Sequence, residues 1–265
     1  MAKHLYILTG ASRGLGFAMA QQLLHANHFL LCIARNENAQ LAELAQARAC
    51  AIEQWPLNLD HGFEAAAMLK QWLAHHGKKE GSSAPFQSAT LINNAALLPT
   101  IAPLSASDPA EIATVLRVGL EAPMQLCSAF LSGTEAWQGA AWETTLQRRV
   151  LNISSGLGRN AMASQSIYCA TKAGMDHFTR CLALEEAIKP GGAKVCSMAP
   201  GVIDTDMQIH LRGANAASFP DQGRFLDLKA NGHLSSAEDC ARQLLRYLNH
   251  ADFGSTPIAD LRELA

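Results

Sequence analysis

Charge is sparse in this chain of 265 residues: Asp, Glu, Lys and Arg together make up 17% and the net charge is −2, where an average soluble domain carries about a quarter charged residues. Basic residues are scattered, and Lys78-Lys79 and Arg148-Arg149 are the only adjacent pairs. There is therefore no electrostatic footprint for a phosphate backbone, which excludes nucleic acid as a partner. No uninterrupted apolar run approaches the about 20 residues needed to cross a bilayer, so no membrane partner is expected. Met1-Ala2-Lys3-His4 leads directly into an apolar segment, without room for the charged and apolar regions of a secretory signal. Seven cysteines, Cys32, Cys50, Cys127, Cys169, Cys181, Cys196 and Cys240, are dispersed and lack the short paired spacing of a zinc or redox motif. The expectation is a cytoplasmic protein in a reducing compartment, with no metal.

What the chain has instead is apolar residues, 49% of the total, arranged in a repeating order. Short apolar runs near 4–9, 29–34, 51–57, 89–94, 148–154, 194–199 and 256–259 alternate with helical patterns near 14–27, 37–48, 61–76, 108–132, 165–188 and 236–249. Such alternation predicts an α/β fold: a single domain over 1–265, a doubly wound parallel sheet of about seven strands with helices on both faces. Gly77 to Ser88 reads as a polar surface connection, and 135–147, with Trp137 and Trp142, as an extra excursion. Residues 204–234 mix Met207, Ile209, Leu211, Phe219, Phe225 and Leu226 with polar residues and read as a substrate lid that excludes water.

The first apolar run, His4-Leu5-Tyr6-Ile7-Leu8, leads into Thr9-Gly10-Ala11-Ser12-Arg13-Gly14-Leu15-Gly16 and then at once into a helical pattern. Gly10, Gly14 and Gly16 have the spacing of a turn whose backbone must approach a pyrophosphate, with Ser12, Arg13 and Leu15 in the same turn and the helix amino terminus offering N–H groups. The second run ends at Arg35, where an NAD-preferring site would place an acid on the ribose hydroxyl. Arg35 and Arg13 instead present guanidinium groups suited to a 2′-phosphate, which predicts NADP(H) as cofactor.

Tyr168-Cys169-Ala170-Thr171-Lys172 places a phenol and an ammonium four residues apart, hence on one helix face, and Ser155 lies upstream. A nearby cation is expected to lower the phenol's pKa toward the range of efficient general acid catalysis. Ser155 would hold the substrate oxygen. Together the three residue types suit reduction or oxidation of a carbonyl.

With Asn93-Asn94-Ala95 after one buried strand and Pro200-Gly201 followed by Thr205 after another, these segments resemble the short-chain dehydrogenase/reductase family over nearly the whole chain. The resemblance implies a Rossmann-like fold, Ser155, Tyr168 and Lys172 as catalytic residues, and Asn94, Pro200, Gly201, Ile203, Thr205, Tyr168 and Lys172 around the cofactor. Asn58, in Leu57-Asn58-Leu59, stands where the family often has an aspartate, and its oxygen could accept from the adenine amine, with Leu59 beside it. The asparagine that helps hold a relay water in the family is matched by Gly119, and the glycine after Asn-Asn-Ala by Ala96. A main-chain carbonyl would then bind that water, and the helix would bend at Gly119.

Within the family, Cys181 to Glu186, Ala199 to Gln208 and Leu228 to Leu234 are most similar to the sepiapterin reductase and bacterial benzil reductase branch. This implies an NADPH-dependent reductase of ketones or dicarbonyls, with Leu157, Met207 and Asp260 as substrate-binding residues and a homodimer or homotetramer as the assembly. Two alternatives share the motifs: a 3-oxoacyl-thioester reductase and a non-catalytic NADPH-sensing protein.

Overall fold

The computed structural model describes residues 3–77, 86–135, 137 and 146–264. Seven strands, β1 (His4–Thr9), β2 (His28–Ala34), β3 (Ala51–Pro56), β4 (Ser88–Asn93), β5 (Gln147–Ile153), β6 (Lys194–Ala199) and β7 (Ile258–Asp260), form one sheet in the order β3-β2-β1-β4-β5-β6-β7. Every neighbouring pair is parallel, with Leu5 of β1 opposite Phe29 of β2 on one side and Ala89 of β4 on the other. Parallel strands are covered on both faces, which is why β4 is buried at every position and reads as a run without charge.

The covering helices are α1 (Gly14–Leu23), α2 (Ala39–Ala47), α3 (Gly62–Gly77), α4 (Pro109–Leu116), α5 (Ala122–Glu135), α6 (Ser166–Ala187), α7 (Asp206–Arg212), α8 (Gln222–Ala230) and α9 (Ala237–Leu248). One apolar core joins the sheet to α1 and α9 through Leu8, Met19, Leu30, Leu244 and Leu248. A second joins the opposite face to α3 and α5 through Leu5, Ile7, Leu69, Leu73, Leu126 and Phe130. Each Leu buried this way contributes about 1.5–3 kcal/mol by leaving water.

Three details differ from the sequence expectation. The first helix stops at Leu23 rather than near 27, because the chain must turn at His25–Asn27 to enter β2, where the N–H of His28 bonds the His25 carbonyl at 2.9 Å. The helix expected over 108–132 is interrupted between α4 and α5 by a wider π turn, Arg117–Glu121, centred on Gly119. The expected lid, 204–234, contains the two helices α7 and α8. The connection after Gly77 falls mostly outside the described residues, as does most of the excursion over 135–147; within it Trp137 is buried and packs on Phe86.

Strand order reverses between β1 and β4, so a crevice opens beyond Thr9 and Asn93 at the carboxyl ends of the strands, where ligands bind in open α/β sheets.

Candidate active site

The cleft at that crevice encloses about 820 Å³, within the size of small-molecule sites, about 300–1,000 Å³. Its floor is the turn after β1. Gly10 has φ +70°, and a side chain on Gly16 would begin 2.0 Å from the Gly10 carbonyl oxygen, so only glycines allow this strand-to-helix approach. Asn94 at the end of β4 fixes the turn, donating to the Thr9 and Gly10 carbonyls at 3.0 and 3.3 Å, while Thr9 Oγ1 accepts from the Asn94 and Ala95 N–H groups. No side chain caps α1. Its first N–H groups therefore face the cleft as anion donors, and the uncapped helix start with the glycine turn fits a dinucleotide pyrophosphate.

Every residue expected at the cofactor, from Gly10 through Arg35 and Asn58 to Thr205, lines this one cleft. Arg13 and Asn58 have partners that bear on their expected roles. Arg13 pairs with Asp206 at the start of α7 at 2.9 Å, both side chains exposed, which leaves Arg35 as the guanidinium at the end of β2 with no ion pair among the described residues. Asn58 Oδ1 accepts from the Asp60 N–H at 3.1 Å, capping a short turn that carries buried Leu59.

Ser155, Tyr168 and Lys172 line the other half of the cleft. Ser155 lies two residues past the end of β5, and its Oγ accepts from the Leu157 N–H at 3.1 Å. Tyr168 and Lys172 lie one turn apart on α6, both buried. Tyr168 Oη approaches Met207 Sδ at 3.9 Å. Lys172 Nζ donates to the Ile153 carbonyl at 2.7 Å and stands 5.7 Å from the centre of the Tyr168 ring.

The electrostatics correct one expectation. Burial pushes the Tyr168 phenol up to about 12, against a smaller opposing effect of its hydrogen bond with Ser155. The phenol is thus raised rather than lowered, because removal from water dominates at this depth. The same burial lowers Lys172 to about 8, with the Asp176 carboxylate acting in the opposite sense. Asp176 lies one turn further along α6, nearly inaccessible, and accepts from Ser154 Oγ, Ser197 Oγ and Arg159 Nε at 2.6, 2.7 and 3.0 Å. Those bonds compensate a buried charge.

Gly119 packs against this helix. A side chain there would begin 2.5 Å from Thr171 Cγ2, so the glycine is the space that the Thr171 methyl occupies.

Of the residues expected at the substrate, Leu157 and Met207 line the cleft and Asp260 does not. The Asp260 carboxylate is taken up by Arg262, whose Nε and Nη2 donate to its two oxygens at 2.8 and 2.6 Å. Arg262 is the residue that reaches the cleft from β7. Sequence reasoning missed it, though an acid and an arginine two residues apart at a strand end are a visible signal. It also missed the buried Gln165 and Gln208, which line the cleft and each keep a carbonyl oxygen without a partner among the described residues. Residues 204–234 contribute to an apolar cluster, Leu211, Phe219 and Phe225 with Leu98, Ile101, Met162, Met207 and Leu228, in which the two phenylalanine rings stack at 5.6 Å.

Comparison with known proteins agrees with this geometry. Residues 4–216 match the family model described as short chain dehydrogenase. The chain is 34% identical to a benzil reductase ((S)-benzoin forming) of Bacillus cereus over 249 residues, covering 93% of this chain and 94% of that protein. It is 33% identical to the sepiapterin reductase of Meriones unguiculatus, covering 94% of this chain and 92% of the relative. Among solved structures, a short-chain dehydrogenase/reductase from Burkholderia vietnamiensis is 31% identical, with a TM-score of 0.62 and 99% of both chains covered. The chain belongs to the short-chain dehydrogenase/reductase family, whose members are oxidoreductases that use nicotinamide cofactors.

Proposed function

We propose that the protein is a cytoplasmic NADPH-dependent reductase of aryl ketones and vicinal dicarbonyls. The observation that carries this reading is the convergence of Ser155, Tyr168 and Lys172 on the same cleft as the glycine turn. A reduced nicotinamide held there would supply hydride to the carbonyl carbon. Ser155 Oγ donates to the carbonyl oxygen. Tyr168, kept protonated at neutral pH by its burial, gives its proton to that oxygen as charge develops. Lys172 would hydrogen-bond the nicotinamide ribose, and its charge would stabilise the phenolate left on Tyr168.

Gly10, Ser12, Gly14, Leu15 and Gly16 would hold the pyrophosphate, Asn94 the adenine-ribose side, Asn58 and Leu59 the adenine, and Pro200, Gly201, Ile203 and Thr205 the nicotinamide. NADPH over NADH is supported by Arg35, with Arg13 nearby, and by the lack of an acid where β2 ends. Aromatic substrates are supported by the apolar lid cluster, and dicarbonyls by the similarity to a benzil reductase. A homodimer or homotetramer is supported by Leu184 and Ile188, 73% and 85% exposed at the end of α6.

The test is oxidation of NADPH or NADH by the purified protein with benzil, sepiapterin and acetoacetyl thioesters. Turnover of benzil with NADPH is expected. Preference for the thioester, or tight NADPH binding with no turnover on any ketone, overturns the reading.

A further inference from the structure

Arg262 at the rim of the cleft is paired with Asp260, which does not line it, and only the arginine is available to a ligand. Asp260 is nearly inaccessible, and both its oxygens accept from Arg262, with the Arg262 backbone N–H on Oδ1 at 3.1 Å and Arg159 Nη1 4.0 Å from Oδ2. Asp260 does not line the cleft, so it offers a substrate N–H no accessible acceptor. Arg262 is the reverse case. Its side chain is 63% exposed, it lines the cleft, and its Nη1 has no partner among the described residues.

The fork is held in a defined place. The Arg262 stem passes 3.6 Å from the point where a side chain on Gly201 would begin, and Nη2 lies 3.8 Å from the equivalent point on Gly156. Gly156 adjoins Ser155, and Gly201 opens the loop carrying Ile203 and Thr205. The guanidinium therefore stands between the serine turn and the loop after β6. Two bonds to Asp260 restrict its rotation, so a third bond costs less entropy than one from a free arginine. Because Asp260 offsets its charge, the preferred ligand is a neutral acceptor oxygen rather than a free anion.

We propose that Arg262, oriented by Asp260, is the specificity residue of this cleft: it donates to an oxygen on the carbon next to the reacting carbonyl and so selects vicinal dicarbonyls over simple ketones. This rests on the reductase reading above and names the part of the substrate that the site recognises.

The test compares benzil with deoxybenzoin, which keeps both aryl rings and one carbonyl but has a methylene in place of the second. The ratio of their kcat/KM values is measured for the wild type, Arg262→Met and Arg262→Lys. The Met variant, which keeps an unbranched apolar stem but has no donors, is expected to lower the benzil-to-deoxybenzoin ratio about tenfold, as for loss of one charge-assisted hydrogen bond. The Lys variant keeps a cation beside Asp260 but loses the fork, and is expected to lower the ratio about threefold. It carries the test should circular dichroism show Arg262→Met unfolded. Equal losses on both substrates, or an unchanged ratio, overturn the proposal by reducing Arg262 to a structural partner of Asp260. Failure of the wild type on both substrates removes the reductase reading itself, and is distinguished by a missing rate rather than an unchanged ratio.

Discussion

Lys172 Nζ donates to the main-chain oxygen of Ile153 at 2.7 Å, tying the ammonium to the last residue of β5, two positions before Ser155. Burial lowers this lysine to about 8 and Asp176 opposes the lowering. As pH rises through that value the ammonium is lost, so kcat/KM should fall on the alkaline side of about pH 8. Asp176→Asn removes the opposing charge and should move the alkaline limb to lower pH. An identical pH profile in the variant would show that Asp176 does not act on Lys172.

Tyr168→Phe keeps the ring and removes the proton. Turnover with NADPH should drop by about 10²–10⁴, the usual worth of a general acid. NADPH binding, followed by fluorescence, should change little. Retention of wild-type turnover would reassign the proton donor.

Gly119→Ala sets two effects against each other. Alanine gains about 1 kcal/mol of helix propensity, while overpacking against Thr171 costs about 1–3 kcal/mol. Thr171 cannot swing aside freely, since its Oγ1 donates to the Ile167 carbonyl at 2.8 Å. The single variant should melt a few degrees lower, on the order of 2–4 °C per kcal/mol. Adding Thr171→Ser removes the clashing methyl and should recover the loss, giving strong non-additivity in a thermal double-mutant cycle.

Arg35→Ala should raise KM for NADPH by about tenfold, the scale of one charge-assisted bond to phosphate, and leave KM for NADH nearly unchanged. Arg13→Ala should do less, because its guanidinium pairs with Asp206. Equal effects of Arg35→Ala on the two cofactors would count against a 2′-phosphate contact.

His4 and His28 pack at the amino ends of β1 and β2, and both are held below their ordinary value near 6.5. Burial is the main cause in each, reinforced at His4 by Arg149 and resisted at His28 by its bond with the Leu23 carbonyl. The folded protein thus binds fewer protons than the unfolded chain below about 6.5. Their contribution is fully present above that pH and is lost as pH falls through the unfolded value toward the folded one. The melting temperature should decline as pH falls from about 6.5 to about 5, and less steeply in His28→Gln. Parallel melting curves for the two proteins would assign the acid sensitivity elsewhere.

The sheet was legible because strands such as Ser88–Asn93, buried on both faces, admit no charge, and α6 because its pattern runs unbroken from Ser166 to Ala187. The glycine turn and Ser155, Tyr168 and Lys172 were legible because their chemistry fixes residue type and spacing together. Gly119 marked where the helix would bend, but not that the bend is a π turn over Arg117–Glu121, because residue type does not show which carbonyl each N–H of the turn reaches. Nor could spacing show that Asp260 turns toward Arg262 and away from the cleft, because that choice depends on where a strand end lies relative to the serine turn. The rise in the Tyr168 pKa was equally invisible: the motif displays the lysine, while the depth of burial emerges only on folding.

Because all seven strands point the same way, the acid-sensitive histidines and the reacting groups sit at opposite poles of the sheet, separated by the six residues of β1, about 20 Å of extended chain. Hardening the protein against low pH can therefore proceed by substitution at one pole without retuning the chemistry at the other.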